Sequence, residues 1–178
     1  MSSTKPRIVK SEMVYKGYHN LRVDTLMLPG KDPIEYTVLQ MEHEATVVLA
    51  VTKNGKFLIN REYRHPTERY LLGLPGGRVD KGEHPSEAAR RELEEETGFT
   101  ANDYILLGVV HPFPAVCNQR IHYYLAKDAL PNGMVRREPY ELLETFELSQ
   151  EELFTKIAQG HEVDGILFPA LAFYAQYV

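Results

Sequence analysis

Residues 77–99 read GRVDKGEHPSEAARRELEEETGF and constrain the local structure more than any other part of the chain. Pro85 suits the first position of a helix, and Gly98 suits the left-handed residue that follows a helix end. These two signals predict a helix that begins near Pro85 and ends before Gly98. Four glutamates fall between positions 92 and 96, and such crowding of like charge is unfavourable unless a cation neutralises it.

Three of these glutamates are expected to share one face of the helix. Residues three and four apart are neighbours on a helix, so Glu92, Glu95 and Glu96 project together while Glu94 points toward solvent. Carboxylate oxygens are the ligands that Mg²⁺ and Mn²⁺ prefer. Arg91 precedes Glu95 by four residues, a spacing that can hold that carboxylate in place. The helix therefore predicts a divalent metal site, with Arg91 and Glu95 as candidate catalytic residues.

This segment resembles the Nudix box, the pattern G-x5-E-x7-R-E-U-x-E-E-x-G-U, in which U is aliphatic or aromatic. The chain matches every fixed position of the pattern: Gly77, Glu83, Arg91, Glu92, Leu93, Glu95, Glu96, Gly98 and Phe99. The alternative is a salt-bridged surface helix, since acidic helices are common, but such helices rarely have these fixed residues around them. The resemblance implies an α/β fold in which a mixed β-sheet is sandwiched between helices, with the box as loop, helix and loop.

The rest of the chain is organised as strands first and helices later. Ala45–Thr52 is a nearly continuous apolar run, as expected for a strand buried on both faces, and Asn54-Gly55 is a strong hairpin turn. The other expected elements are strands at 21–28, 34–41, 56–63, 104–110, 121–126 and 144–148, a helix from Ser149 to Gly160, and a last helix from Gly165 or Phe168. Residues 1–10 are expected to form a loose arm. We therefore predict an N-terminal hairpin extension over 1–43 and a main domain over 44–178.

Composition excludes several classes of protein. The net charge of −5 argues against nucleic acid held by bulk electrostatics. The longest apolar run is far too short to span a bilayer, and the N-terminus has no apolar signal core. The single cysteine, Cys117, excludes an internal disulfide framework and fits a reducing cytoplasm. We expect a cytoplasmic protein that binds neither nucleic acid nor membrane.

Beyond the box, the chain looks like the ADP-ribose and ADP-sugar pyrophosphatases of the same family. The similar stretches are Val14–Gly17, Leu21–Asp24, Glu42-His43, Arg61–Arg64 and Leu71–Gly77. In that subfamily the N-terminal strands pair with a second subunit, and both subunits shape the nucleotide pocket. The resemblance thus implies a homodimer that hydrolyses the pyrophosphate bond of nucleoside diphosphate sugars, with ADP-ribose favoured.

Some positions depart from the subfamily pattern. Gly76 stands where alanine is usual, and Gly73 stands where glutamate is usual. Pro114 lies sixteen residues after Gly98, the subfamily's spacing, but its neighbours differ, and Gln119 aligns with an acid. These departures favour a broader range of nucleoside diphosphate sugars than ADP-ribose alone.

The resemblance assigns roles to the acids of the box. Glu92 and Glu96 are the principal candidate metal ligands, Glu95 belongs to the same cluster, and the Gly76 carbonyl is a further candidate. Glu83 holds the loop or a metal-bound water. We expect Mg²⁺ or Mn²⁺, and more than one ion per site, because the acids outnumber the needs of one.

The general base is expected on a loop well after the box. Aligning the strand that follows with that of the subfamily places Glu141 at the base position, with Glu138 as the alternative, while Glu144 belongs to the strand. A solvated acidic loop with no catalytic role is the competing interpretation.

Substrate contacts are expected from four residues. Arg64 is the candidate phosphate clamp, because a planar guanidinium can grip two oxygens at once; a surface salt bridge is the alternative. Tyr18 and Tyr36 are candidates for stacking on the base, although packing in the core or the hairpin is the favoured interpretation of either one alone, since the chain has 11 tyrosines. Pro114 completes the substrate-binding candidates.

Two other functions remain open. A triphosphate pyrophosphohydrolase of the MutT type shares the box, but proteins of that type usually start near the Ala45 strand and lack the N-terminal hairpin. A non-catalytic nucleotide sensor shares the fold, but such modules often lose the box glutamates, which this chain retains.

Overall fold

The computed structural model describes residues 5–133, 135–137 and 141–178. The chain divides into two compact units. The N-terminal unit comprises the residues up to Glu42 together with Phe113–Gln119, and the main unit comprises His43–Pro112 with Arg120–Val178. Within the described ranges, no helix is both long and apolar enough to cross a membrane.

The N-terminal unit is a three-stranded antiparallel sheet in the order β1-β2-β3. Its strands are β1 (Arg7–Tyr15), β2 (Asn20–Met27) and β3 (Ile34–Gln40). The predicted hairpin corresponds to β2 and β3 and is confirmed. The expectation of a loose arm over residues 1–10 is wrong from Arg7 onward, because that segment pairs with β2. Asp24 of β2 is buried and accepts a 2.6 Å hydrogen bond from Ser11 of β1.

The segment Phe113–Gln119 joins this unit through β3 and the residue that follows it. Leu39 forms a parallel bridge with Cys117. The Met41 N–H donates to the side-chain oxygen of Asn118 at 2.7 Å, and the Tyr36 hydroxyl donates to the Ala115 carbonyl at 2.7 Å.

The main unit contains a mixed sheet. Its strands are β4 (Ala45–Thr52), β5 (Phe57–Arg64), β6 (Arg69–Gly73), β7 (Gly76–Arg78), β8 (Phe99–Thr100), β9 (Tyr104–Val110), β10 (Ile121–Pro131) and β11 (Leu143–Leu148). The sheet runs in the order β11-β5-β4-β10-β8, with β4 and β10 parallel and the other pairs antiparallel. The remaining strands pair with inner strands of this order, β6 with β5, β7 with β4 and β9 with β10.

Helices cover both faces of this sheet. Successive side chains of a strand point to opposite faces, and β4 is apolar on both. Val48 and Ala50 pack toward α1 (Pro85–Thr97), whereas Val47 and Leu49 pack toward α2 (Gln150–Ala158) and α3 (Leu167–Tyr177). The predicted mixed sheet between helices is therefore confirmed.

The ends of α1 follow the sequence signals. Pro85 is the first helical residue, and Gly98 closes the helix in the left-handed conformation at φ 72°. His84 caps the N-terminus in a reciprocal arrangement with Glu87, whose carboxylate accepts from the His84 backbone N–H at 2.9 Å. Gly76–Arg78 pairs with β4 directly before this helix, so the box begins and ends on the main sheet.

Candidate active site

Arg91 lies at the centre of the box acids. Its Nε and Nη2 each donate to Glu83 at 3.0 Å, and its Nη1 donates to Glu92 at 2.7 Å and to Glu95 at 3.3 Å. Nη2 also donates to the Arg78 carbonyl at 2.9 Å. The structure thus brings Arg91 to Glu95, as the spacing predicted, but Glu83 is its main partner. This two-pronged pair fastens the loop before α1 to the helix.

The charge of Arg91 acts most strongly on Glu83. Hydrogen bonds from the guanidinium lower the pKa of Glu83, since they favour the ionised form. Glu83 also accepts from the backbone N–H of Asp80 at 2.9 Å. Two roles were predicted for Glu83, and its contacts fit the role of holding the loop before α1.

Glu96 is the most deeply buried acid of the box, with 6% of its surface exposed. Its Oε2 accepts from the Asn60 side-chain amide at 2.7 Å and from the Gly76 N–H at 3.2 Å. Burial raises the pKa of Glu96 well above its ordinary value, and the charges of Glu92 and Glu62 raise it further. An ionised carboxylate at this depth is stabilised by a cation or by a proton.

Glu92 lies against the backbone of Gly77. A Cβ added at Gly77 would lie 2.5 Å from one carboxylate oxygen of Glu92, so only glycine leaves room for the carboxylate there. Burial raises the pKa of Glu92, Arg91 opposes that shift, and Glu95 and Glu141 add to it. The presence of glycine at position 77, the first residue of the box, therefore has a direct steric explanation.

Two acids from outside the box belong to the same electrostatic cluster. Glu141 is close enough to raise the pKa of Glu62, Glu92 and Glu96. Burial is the main cause of the raised pKa of Glu62. Glu138, the alternative candidate base, lies outside the described residues.

The donor set suits a hard divalent cation. Glu92 and Glu96 are one helical turn apart, both are largely buried, and Gly76 lies directly beside Glu96. In the described ranges, no three Asp, Glu, His or Cys side chains converge closely enough to hold a metal ion. Arg91 and Asn60 bond to oxygens of Glu92 and Glu96 there. Carboxylates of raised pKa that crowd on one face fit a cation, which would neutralise them.

Arg64, the candidate phosphate clamp, follows Asn60 and Glu62 on the same face of β5. Its Nη1 donates to Glu62 at 2.6 Å, and its Nε donates to Asp164 at 3.3 Å. The side chain is 39% exposed, so the guanidinium retains access to solvent. Arg64 does form a salt bridge, as its alternative interpretation expected, but that salt bridge lies beside the acid cluster rather than apart from it.

Tyr18, Tyr36 and Pro114 belong to the N-terminal unit. Tyr18 is 91% exposed and meets His19 edge to face at 4.8 Å. Tyr36 bonds to Ala115, beside Pro114. Their roles as substrate contacts stay predictions.

Sequence reasoning missed Asn60, Arg137 and Asp164. Arg137 donates from Nε to the Glu96 carbonyl at 2.8 Å and from Nη2 to Thr145 at 3.2 Å, and Thr145 donates to Asn60 at 2.9 Å. These bonds close a ring through Asn60 and Glu96. The alternation along β5 places positions 60, 62 and 64 on one face and offered a signal for Asn60; no local signal pointed to Asp164, a hundred residues from its partner.

The chain is similar to known proteins over most of its length. The chain is 30% identical over 165 residues to an ADP-ribose pyrophosphatase of Bacillus subtilis, covering 92% of this chain and 88% of that protein. It is 32% identical over 143 residues to the ADP compounds hydrolase NudE of Escherichia coli, covering 79% and 76%. A crystal structure of an ADP compounds hydrolase superposes with a TM-score of 0.88 at 26% identity, covering 99% of this chain and 96% of the other.

The sequence pattern of the NUDIX domain matches residues 41–171. That range contains the box, the whole of α1 and the acids that surround it. The chain belongs to the NUDIX domain family.

Proposed function

We propose that this protein is a metal-dependent pyrophosphohydrolase that cleaves the pyrophosphate bond of nucleoside diphosphate sugars, ADP-ribose first. The products are a nucleoside monophosphate and a sugar phosphate. The observation that carries the proposal is the pair of buried carboxylates, Glu92 and Glu96, that faces Gly76 and Gly77. The relatives named for ADP-ribose and ADP compounds support this substrate class.

A diphosphate resists hydrolysis because its negative oxygens repel nucleophiles, so the site must neutralise charge and position a water and a base. Glu92, Glu96 and the Gly76 carbonyl would hold Mg²⁺ or Mn²⁺, with Glu95 at the outer edge of the cluster. Bound there, a divalent ion supplies charge neutralisation to the diphosphate and lowers the pKa of water. We propose more than one ion per site, since the acids outnumber the needs of one.

The chain's own residues set the geometry around that cluster. Asn60 fixes the orientation of the Glu96 carboxylate, and the Glu83–Arg91 pair braces the loop that carries Gly77. Glu141 would take the proton from the attacking water, because it lies in the same electrostatic cluster and a positioned carboxylate can serve as a base. Glu138 remains the alternative.

Arg64 would hold a phosphate of the substrate. A guanidinium carries five N–H groups, and the contacts to Glu62 and Asp164 use two of them. Tyr18, Tyr36 and Pro114 are the proposed nucleotide contacts of the N-terminal unit. We also propose a cytoplasmic homodimer, paired through the N-terminal strands, that uses neither nucleic acid nor membrane.

One assay tests the proposal. The purified protein is incubated with ADP-ribose, GDP-mannose, other nucleotide sugars and deoxynucleoside triphosphates, with Mg²⁺ or with EDTA. We expect AMP from ADP-ribose in the presence of Mg²⁺ and none with EDTA. Pyrophosphate release from the triphosphates alone would indicate a MutT-type enzyme, and no turnover of any substrate would indicate a non-catalytic sensor.

A further inference from the structure

Asp164 lies in the segment between α2 and α3, where the backbone fixes it against the edge of β6. Its N–H donates to the Leu72 carbonyl at 2.8 Å, and its own carbonyl accepts from the Leu167 N–H at 3.0 Å. Both bonds are backbone contacts, so the position of this residue does not depend on its side chain. The aspartate is therefore presented at a defined place beside β5 and β6.

The two carboxylate oxygens of Asp164 have different partners. Oδ1 accepts from the Ile166 N–H at 3.2 Å, a local bond that fixes the side-chain rotamer. Oδ2 is left to accept from Arg64 Nε at 3.3 Å. Gly73 faces this turn, and a Cβ there would already touch the Cβ of Asp164 at 3.4 Å. The turn that presents the carboxylate therefore packs within ordinary contact distance of β6.

Arg64 is held from two sides. Glu62 accepts from Nη1 at 2.6 Å while Asp164 accepts from Nε, and both acids are largely shielded from solvent. A long, flexible arginine side chain is fixed in this way before any ligand binds, which lowers the entropy lost on binding. Its remaining N–H donors stay available.

We propose that Asp164 is a positioning residue for substrate binding, acting through Arg64. The inference rests on the proposed role of Arg64 as the phosphate clamp. Asp164 fixes the plane of the guanidinium, so that the free N–H groups meet a phosphate without rearrangement. A nearby ion pair offers a contrast: Glu162, in the same segment between α2 and α3, lies 3.7 Å from Arg69 of β6, and both side chains are well exposed, so that pair has no such role.

The central variant is Asp164→Asn. Asparagine keeps a carbonyl oxygen for the Ile166 N–H but turns an amide, in place of an acceptor, toward Arg64. We expect KM for ADP-ribose to rise about tenfold, the effect of one lost hydrogen bond to a charged group, while kcat changes less than threefold. Glu162→Gln is the matched control and should leave both constants within twofold of the wild type.

A double-mutant cycle separates positioning from a general structural effect. In the Arg64→Ala background, Asp164→Asn should change KM less than twofold, because its partner is already absent. An equal tenfold change in both backgrounds would show that Asp164 acts otherwise and would overturn the proposal. Thermal unfolding of each variant checks folding, and Asp164→Ser, whose hydroxyl can still accept from Ile166, repeats the test if the asparagine variant does not fold.

A direct measurement of binding tests the role of Asp164 separately from the proposed function. Calorimetric titration of ADP-ribose in EDTA measures affinity without turnover, and Asp164→Asn should weaken it about tenfold. If the wild type hydrolyses ADP-ribose and Asp164→Asn leaves KM and affinity unchanged, only the role of Asp164 is refuted. A wild type that binds without turnover refutes the proposed function and leaves the binding test decisive, whereas a wild type that neither binds nor hydrolyses ADP-ribose refutes both.

Discussion

The substitution Gly77→Ala is expected to displace a carboxylate while leaving the fold intact. The added Cβ would lie 2.5 Å from one oxygen of Glu92, 2.6 Å from its carboxyl carbon and 2.8 Å from its other oxygen. The carboxylate has little freedom to turn aside, because only 13% of the side chain is exposed and Arg91 holds it at 2.7 Å. The conflict therefore falls on the group proposed to hold the metal.

The size of the effect follows from the distance. Ordinary contacts of a Cβ begin near 3.4 Å, so the carboxylate of Glu92 must move by about 0.9 Å. A misplacement of about 1 Å in a reacting constellation can cost about 100-fold in rate, or about 2.7 kcal/mol in the barrier. Gly77 does not lie in the left-handed region, so alanine brings no backbone strain and can stabilise the fold by a few tenths of a kcal/mol to about 1 kcal/mol through the unfolded state.

The assay is steady-state hydrolysis of ADP-ribose with Mg²⁺, combined with thermal unfolding. We expect kcat to fall about 100-fold with the melting temperature close to that of the wild type. Gly165→Ala is the matched control, since a Cβ there meets nothing within 4 Å and its backbone is also outside the left-handed region. If Gly77→Ala retained turnover within threefold of the wild type, the carboxylate of Glu92 would not need its observed position and the reasoning would fail.

Three further predictions follow from the pKa shifts and the proposed roles. In EDTA, Glu96→Gln should raise the melting temperature at pH 7, because the raised pKa of Glu96 means that its ionised form costs stability in the metal-free protein, and this gain should shrink as the pH falls. With Mg²⁺, turnover should drop at least about 100-fold; a lower melting temperature in EDTA at pH 7 would contradict the argument. Glu141→Gln should leave the melting temperature unchanged but reduce kcat by about two to four orders of magnitude, as expected for a lost general base; near-normal kcat would reject Glu141. The hydrogen bond from Ser11, with that from Arg22, lowers the pKa of Asp24, so this carboxylate contributes stability above its unfolded pKa of about 3.9 and loses that contribution as the pH falls through the folded value. The melting temperature of Asp24→Asn should therefore fall less between pH 7 and pH 3 than that of the wild type. Equal falls in the two proteins would show that Asp24 is not responsible.

Local signals in the sequence were enough to predict the box helix and the five longest strands of the main sheet. Pro85 and Gly98 mark the helix ends because each acts through its own backbone, and both lie where the structure has them. The apolar run of β4 predicted burial on both faces, and the two core clusters separate its alternate residues. Such features need no knowledge of distant segments.

Features that depend on distant segments escaped prediction. Every residue of β1 is exposed in the structure, and its apolar residues are adjacent, at Ile8-Val9 and Met13–Tyr15, rather than at alternate positions. The sequence therefore did not predict this strand, which forms through its pairing with β2. Asn60 is buried because Glu96 and Thr145 satisfy its amide, and those partners come from α1 and β11. A polar residue in the middle of an apolar strand marks such a network only once the neighbouring elements are known.

The acids of the box lie in different electrostatic environments, and Arg91 accounts for the difference. Spacing alone paired this arginine with Glu95, yet its guanidinium reaches back across the loop to Glu83 and fixes that acid in the ionised form. Glu92 shares the arginine but is more buried, and Glu96 lies beyond its reach, so the pKa values of both are raised. The arginine thus compensates Glu83 enough to lower its pKa, compensates Glu92 only in part, and makes no bond to Glu96. A pair of buried carboxylates of raised pKa beside a glycine backbone is the arrangement that a divalent cation and a diphosphate would complete.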